Sequence, residues 1–182
     1  MKKNYYLLTA GGVDKKGIVF KLSGILKENS FNIEDSSMLM LRGTFSVIML
    51  LSHAKATRSK KFMAELKKFA TEFDMTVDIK TISEKEMRPA PHTGETYMIS
   101  ISGADKPGIV NAMTAVIVEK GGNIIDLETK SSQKTTPPAY YMLLEVDMPK
   151  KDNAKKLEAA LKKTGSRIGV HVSVNKAEKE IL

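Results

Sequence analysis

One eight-residue segment occurs twice in this chain. Gly12-Val13-Asp14-Lys15-Lys16-Gly17-Ile18-Val19 returns 91 residues later as Gly103-Ala104-Asp105-Lys106-Pro107-Gly108-Ile109-Val110. The same offset carries Asn32-Ile33-x-Asp35 onto Asn123-Ile124-x-Asp126, and 10 of the 24 positions from Gly12 to Asp35 are identical. A repeat on this scale fixes the domain count before any other reading, because each copy must be one folding unit. The 182 residues are expected to form two domains, 1–86 and 96–182, joined by a linker over 87–95 that Pro89 and Pro91 stiffen. A unit of this size buries only about 60% of its unfolded surface. Each copy is therefore expected to lean on its neighbour or on a second chain.

Each copy reads β-α-β-β-α-β. In copy one, Tyr5 to Ala10 is a run of strand formers, and Ile18, Val19, Leu22, Ile25 and Leu26 then recur at helical spacing up to Lys27-Glu28-Asn29-Ser30. Ile33 to Leu41 and Phe45 to Ser52 are strands joined at Arg42-Gly43-Thr44, a hairpin signal. Phe62, Leu66 and Phe69 define a helix over 59–72, and Met75 to Ile82 closes the unit. Copy two repeats the order: strand 96–102, helix stripe Ile109, Met113, Val116 and Ile117, strands 123–131 and 139–147, helix 150–163, strand 167–174. Thr135-Thr136-Pro137-Pro138 lengthens its hairpin connection, since proline cannot sit in a paired interior strand. Two interleaved right-handed β-α-β crossovers give an α+β, ferredoxin-like antiparallel sheet with both helices on one face. The other face stays bare, so pairing of edges or faces between copies is expected.

Zero cysteines exclude disulfides, thiolate metal sites and thiol catalysis, in keeping with a cytoplasmic location. The longest apolar run, Val47 to Leu51, is far short of a membrane span. The net charge is +8, yet the lysines fall in pairs seven apart, Lys60-Lys61 with Lys67-Lys68 and Lys155-Lys156 with Lys162-Lys163. That spacing marks the wet face of a helix rather than a nucleic-acid footprint. Direct nucleic-acid binding is further disfavoured because the central strands lack an aromatic pair for stacking bases, Met38, Met40, Val47 and Met49 holding that ground. The three histidines have no metal spacing and no nucleophile–base pair is visible, so neither enzyme activity, nor a metal, nor a cofactor is expected.

The doubled loop is the candidate site. Asp14 and Asp105 each lie between a strand and a helix, where free backbone N–H groups and the helix dipole suit a small anion. Gly12 and Gly103 permit a tight turn, whereas Gly17 and Gly108 let a ligand or another backbone approach. The structural alternative is that each Asp is an N-cap and Pro107 a first helical residue. Asn32 and Asn123 open the second strand of each copy, at the opposite end from the loop, so loop and Asn can meet only across modules.

The pattern Asp-Lys-Pro-Gly-Ile, helix, Gly-Gly-Asn-Ile in copy two, with Gly-Val-Asp-Lys-Lys-Gly-Ile and Phe-Asn-Ile in copy one, resembles the ACT domain, a small regulatory module. Tandem copies with nothing attached resemble the glycine cleavage system transcriptional repressor family, as do Asn123-Ile124-Ile125-Asp126 and Phe45 to Leu51 in detail. The resemblance implies a non-enzymatic regulator that binds an amino acid between two modules and signals to a partner protein, as a homodimer or higher homo-oligomer. It implies that Gly12, Asp14, Gly17, Ile18 and Gly103, Asp105, Gly108, Ile109 supply loop halves, while Asn32, Ile33 and Asn123, Ile124 supply strand halves. Asp14 and Asp105 would accept from a ligand ammonium, and backbone N–H groups near Gly17-Ile18 and Gly108-Ile109 would meet its carboxylate. Copy one departs from the pattern at Lys16 and at Phe31, whose ring is expected to fill the interface. Copy two's site is therefore the better candidate.

Overall fold

A computed structural model describes residues 3–55, 59–87, 94–149 and 154–177. The chain forms two compact units, 1–89 and 90–182. Most of the linker expected over 87–95 lies outside the described residues.

Domain 1 runs β1 Asn4–Val13, α1 Ile18–Glu28, β2 Asn32–Leu41, β3 Thr44–His53, α2 Lys60–Phe73 and β4 Met75–Ile82. Domain 2 repeats it as β5 Gly94–Ala104, α3 Ile109–Glu119, β6 Asn123–Ser132, β7 Ala139–Pro149, α4 Ala154–Ile168 and β8 Val170–Lys176. The sheets order as β2-β3-β1-β4 and β6-β7-β5-β8, antiparallel throughout. This is the ferredoxin-like plait expected from the repeat.

Alternation decides which face meets the helices. Tyr6, Leu8 and Ala10 of β1 and Phe45, Val47, Met49 and Leu51 of β3 are buried with Ile18, Leu22, Phe62, Leu66 and Phe69 of the helices in one core. Domain 2 builds its own core from Tyr97, Ile99, Ile101, Met113, Ile117, Met142, Leu144, Val146, Leu157 and Leu161. The intervening residues, Ile48 in domain 1 and Tyr141 and Leu143 in domain 2, face away from the helices and stay exposed. Val47 and Met49 therefore belong to the core, and Met38 and Met40, which pair with Val47 and Phe45, share its side. The sequence reading set all four on central strands, whereas Met38 and Met40 lie on the edge strand β2.

Boundaries in α4 and β8 also differ from expectation. The helix continues to Ile168, and the strand begins at Val170 rather than 167; the expected start over 150–153 lies outside the described residues. Gly165 lies within the helix. A β-carbon there would stand 2.8 Å from both the Val170 carbonyl oxygen and Val172 Cγ2, so glycine lets the helix seat on its strand.

Candidate functional site

Strand register separates the two halves of each candidate site. Asn32 lies across β3 from Ser52, and Ser52 faces Tyr5 of β1. Eight residues of β1 then lead to Val13 and the loop, about 27 Å at the usual strand rise. In domain 2, Asn123 faces Asp147, which faces Thr96, again eight residues from the strand end at Ala104. No single domain brings its own loop and Asn together.

At the loop end, the two kinds of glycine exchange the roles the sequence suggested. Gly12 and Gly103 end strands where another backbone comes close: their β-carbons would meet the Asp74 and Gly169 carbonyl oxygens, each at 2.9 Å. Gly17 and Gly108 instead adopt left-handed φ of 95° and 91° as helix N-caps, with open space around them. No side chain caps the helix start at either glycine. Neither Asp14 nor Asp105 caps a helix with its side chain, since the N-cap falls three residues later, and Pro107 precedes the helix rather than opening it. The Ile18 and Ile109 side chains are buried in their cores, so only their backbone can serve a ligand.

Both loops are tied to the hairpin tip beside them. The Asp14 N–H donates to the Gly43 carbonyl at 2.9 Å, and the Asp105 N–H to the Pro138 carbonyl at 2.8 Å. The carboxylates differ. Asp105 accepts from the Ser131 hydroxyl at 2.6 Å, whereas the position matching Ser131 under the 91-residue offset is Met40, which offers Asp14 no donor. Tyr140, paired with Gly103 beside the loop, has its hydroxyl pushed above the ordinary phenol range by burial and then by the Asp105 charge.

The Asn ends differ as well. A bulge displaces Glu34 in β2 and Ile125 in β6. Glu34 is the centre of a polar cluster: Lys3 Nζ donates to it at 2.8 Å, and Ser52 and Asn32 also bond it. These bonds, led by that from Lys3, hold its carboxyl at about 2. Asn32 is thereby committed within its own domain. Beside it lies an open hollow of about 420 Å³ lined by Ser23, Lys27, Ser30, Phe31 and Ile33. Asn123 is exposed, and Ile124 packs partly against the domain 2 core.

Phe31 does not fill an interface. Its ring is 7% exposed and packs on Tyr6, His53 and Phe62 with centroids 5.4, 5.0 and 4.6 Å away. Ser131, Glu34 and Lys3 were not singled out from sequence, although comparing the copies position by position exposes Ser131 against Met40 and Glu34 against Ile125. Among the described residues no cluster of metal-ligating side chains forms, and no helix is long and apolar enough to cross a membrane.

Two β-α-β-β-α-β plaits in tandem, each with an Asp loop at one sheet end and an Asn at the other, define a paired small-module protein. A family model for the ACT domain matches residues 4–80 and 95–175, and the chain belongs to that family. The glycine cleavage system transcriptional repressor of Escherichia coli is 26% identical over 176 residues, covering 95% of this chain and 90% of that protein. A UPF0237 protein of Methanococcus maripaludis is 36% identical over 81 residues, 44% of this chain and 86% of its own, so it matches one copy. The crystal structure of an unknown protein from Galdieria sulphuraria is 27% identical with a TM-score of 0.77, covering 97% of this chain and all of that one.

Proposed function

We propose that this protein is a non-enzymatic regulator that binds an amino acid between ACT modules and passes the signal to a partner protein in the cytosol. The observation that carries the reading is the separation of loop and Asn by the length of a strand in both domains. A ligand held by one of each must touch two modules, so its binding reports on how modules are assembled. The similarity along nearly the whole chain to a transcriptional repressor of the glycine cleavage system supports regulation of amino-acid metabolism as the setting.

The chemistry is zwitterion recognition. The uncapped N–H groups at Gly17-Ile18 and Gly108-Ile109 receive the carboxylate, the Asp14 or Asp105 carboxylate accepts from the ammonium, and an Asn of the adjoining module orients the ligand with its amide. Binding to the assembled state alone stabilises it by RT ln(1 + [L]/Kd), about 2.7 kcal/mol at a hundredfold excess over Kd.

Calorimetry and thermal shift with each of the standard amino acids test this. One ligand is expected to raise Tm, with Asp14→Asn or Asp105→Asn and Asn123→Ala removing the shift while the apo protein melts as before. If no amino acid binds the well-folded wild type, the sensing role fails and the fold is untouched.

A further inference from the structure

The bare face of the domain 2 sheet carries a pattern that its own folding does not require. Cross-strand pairing sets Glu128, Leu143 and Ser100 in one row across β6, β7 and β5, and Lys130, Tyr141 and Ser102 in the next. Both rows project away from the helices, because Met142 and Ile101, which separate them along the strands, are buried in the core. Between the rows lies a hollow of about 390 Å³ with Met142 and Ile101 in its lining. Tyr141 is 56% exposed and Leu143 40%, unusual for apolar side chains in the middle of a sheet. Glu128 and Lys130 are exposed too, and no ion pair among the described residues engages either. Domain 1 has no such charges: by strand pairing its rows are Ser37, Ile48, Thr9 and Leu39, Ser46, Gly11.

We propose that this face self-associates: the domain 2 sheet of a second copy of the chain packs on it about a twofold axis that crosses the strands at the level of Met142. That operation keeps each strand over its own counterpart and exchanges the two rows. Each Glu128 then lies over the partner subunit's Lys130, and each Tyr141 over the partner subunit's Leu143. Such reciprocity is what a closed twofold interface demands. The rows are about 7 Å apart along the strands, and packed sheets lie about 10 Å apart, a gap that side chains from the two faces fill. The acidic row beyond, Asp126 with Glu145, falls over the partner subunit's Ser132 and Ala139, so no like charges oppose. An axis along the strands fails the same test, because it sets β6 over β8, where Ser173 and His171 stand at these levels. The charges identify the occupant. A second domain 2 carries the complement of its own pattern, whereas a domain 1 face has none to offer. Of the two bare faces the repeat leaves, one thus acquires a partner and a register, and the contact needs no ligand.

Sedimentation of the full chain over a range of concentrations tests the proposal. The wild type is expected to self-associate reversibly. Tyr141→Ser, which installs the domain 1 residue at an exposed position, is expected to weaken association about tenfold or more and to leave the circular dichroism spectrum unchanged. Glu128→Lys and Lys130→Glu should each weaken association, and the double variant, which restores opposite charges across the axis, should recover it. The chain has no cysteine, so Tyr141→Cys and Leu143→Cys chains can be mixed and oxidised; disulfides are expected between the two kinds of chain more than within either. A wild type that stays monomeric overturns the proposal, as does an oligomer indifferent to Tyr141→Ser, which would be held through another surface such as the sheet edges. A double variant as weak as the single ones, or disulfides with no preference for the mixed pair, overturns the crosswise axis and the proposal with it.

Discussion

Domains 1 and 2 share strand order, register and even the position of the bulge, yet they fill the corner before their edge strands from opposite sides. In domain 1 the residue ahead of β2 is Phe31, whose ring reaches inward to Tyr6, His53 and Phe62. In domain 2 it is Gly122, and the neighbours reach outward instead: a β-carbon there would stand 2.7 Å from Ile117, 2.8 Å from Met148 and 3.0 Å from Val146. The pairs Phe31/Gly122 and His53/Met148 are thus compensating choices for one volume. The lesson extends to the edge strands. β2 ends in Met38-Leu39-Met40-Leu41, all more than half exposed, where β6 has Thr129-Lys130-Ser131-Ser132. One frame presents an apolar rim in one copy and a polar rim in the other, so the two modules are built to meet different surroundings.

The largest expected effect breaks the volume argument directly. Phe31→Ala should cost domain 1 about 3–5 kcal/mol, read as a lowered midpoint in chemical denaturation with hydrogen exchange to assign the loss to domain 1. Gly122→Ala should cost domain 2 about 1–3 kcal/mol by overpacking; combined with Met148→Ala, it should lose less than the sum of the two single losses, whereas additive losses would show that the two positions do not share space.

A smaller effect depends on pH. The Glu34 carboxyl sits at about 2 when folded, below its ordinary 4.5, chiefly because Lys3 donates to it and Ser52 and Asn32 assist. A depressed folded value means that its contribution is complete above the unfolded pKa and is lost as pH falls through the folded one. Glu34→Gln should therefore be less stable than wild type near neutrality, with the two curves converging between pH 4.5 and 2 in an acid titration. No counterpart is expected from domain 2, where Ile125 holds the bulge. The smallest effect concerns the loops. Ser131→Ala should cost domain 2 about 1 kcal/mol or less, because the Asp105 carboxylate it serves is exposed to water. Met40→Ser offers Asp14 the missing hydroxyl, and a gain in domain 1 stability would show that the latch is portable.

The plait was legible because its signals are local and doubled. Apolar alternation in β1 and β3, helical spacing in α1 and α2, and the Arg42-Gly43 turn, where both residues adopt positive φ, each specify their element without help from distant contacts. The candidate loop was legible as a loop, but the work of its residues was not. That Gly12 is the position of close backbone approach depends on the Asp74 carbonyl arriving from α2's far end, which no spacing within the loop encodes. Phe31 was misplaced for the same reason, since its direction is set by three rings brought from three other elements. The end of α4 was placed too early because the helix continues past Gly165, which is seated against a strand that follows it. The Ser131 latch spans 26 residues and becomes visible only when the copies are compared at each position.

The bonds from the Asp14 and Asp105 amides to the hairpin tips at Gly43 and Pro138 have a kinetic consequence. These two amides sit in otherwise exposed loops, so their exchange with solvent is gated by separation of loop and hairpin rather than by burial. Each is a built-in clock for that opening, one per module. A slowing of either clock when an amino acid is added would tell which loop the ligand has closed.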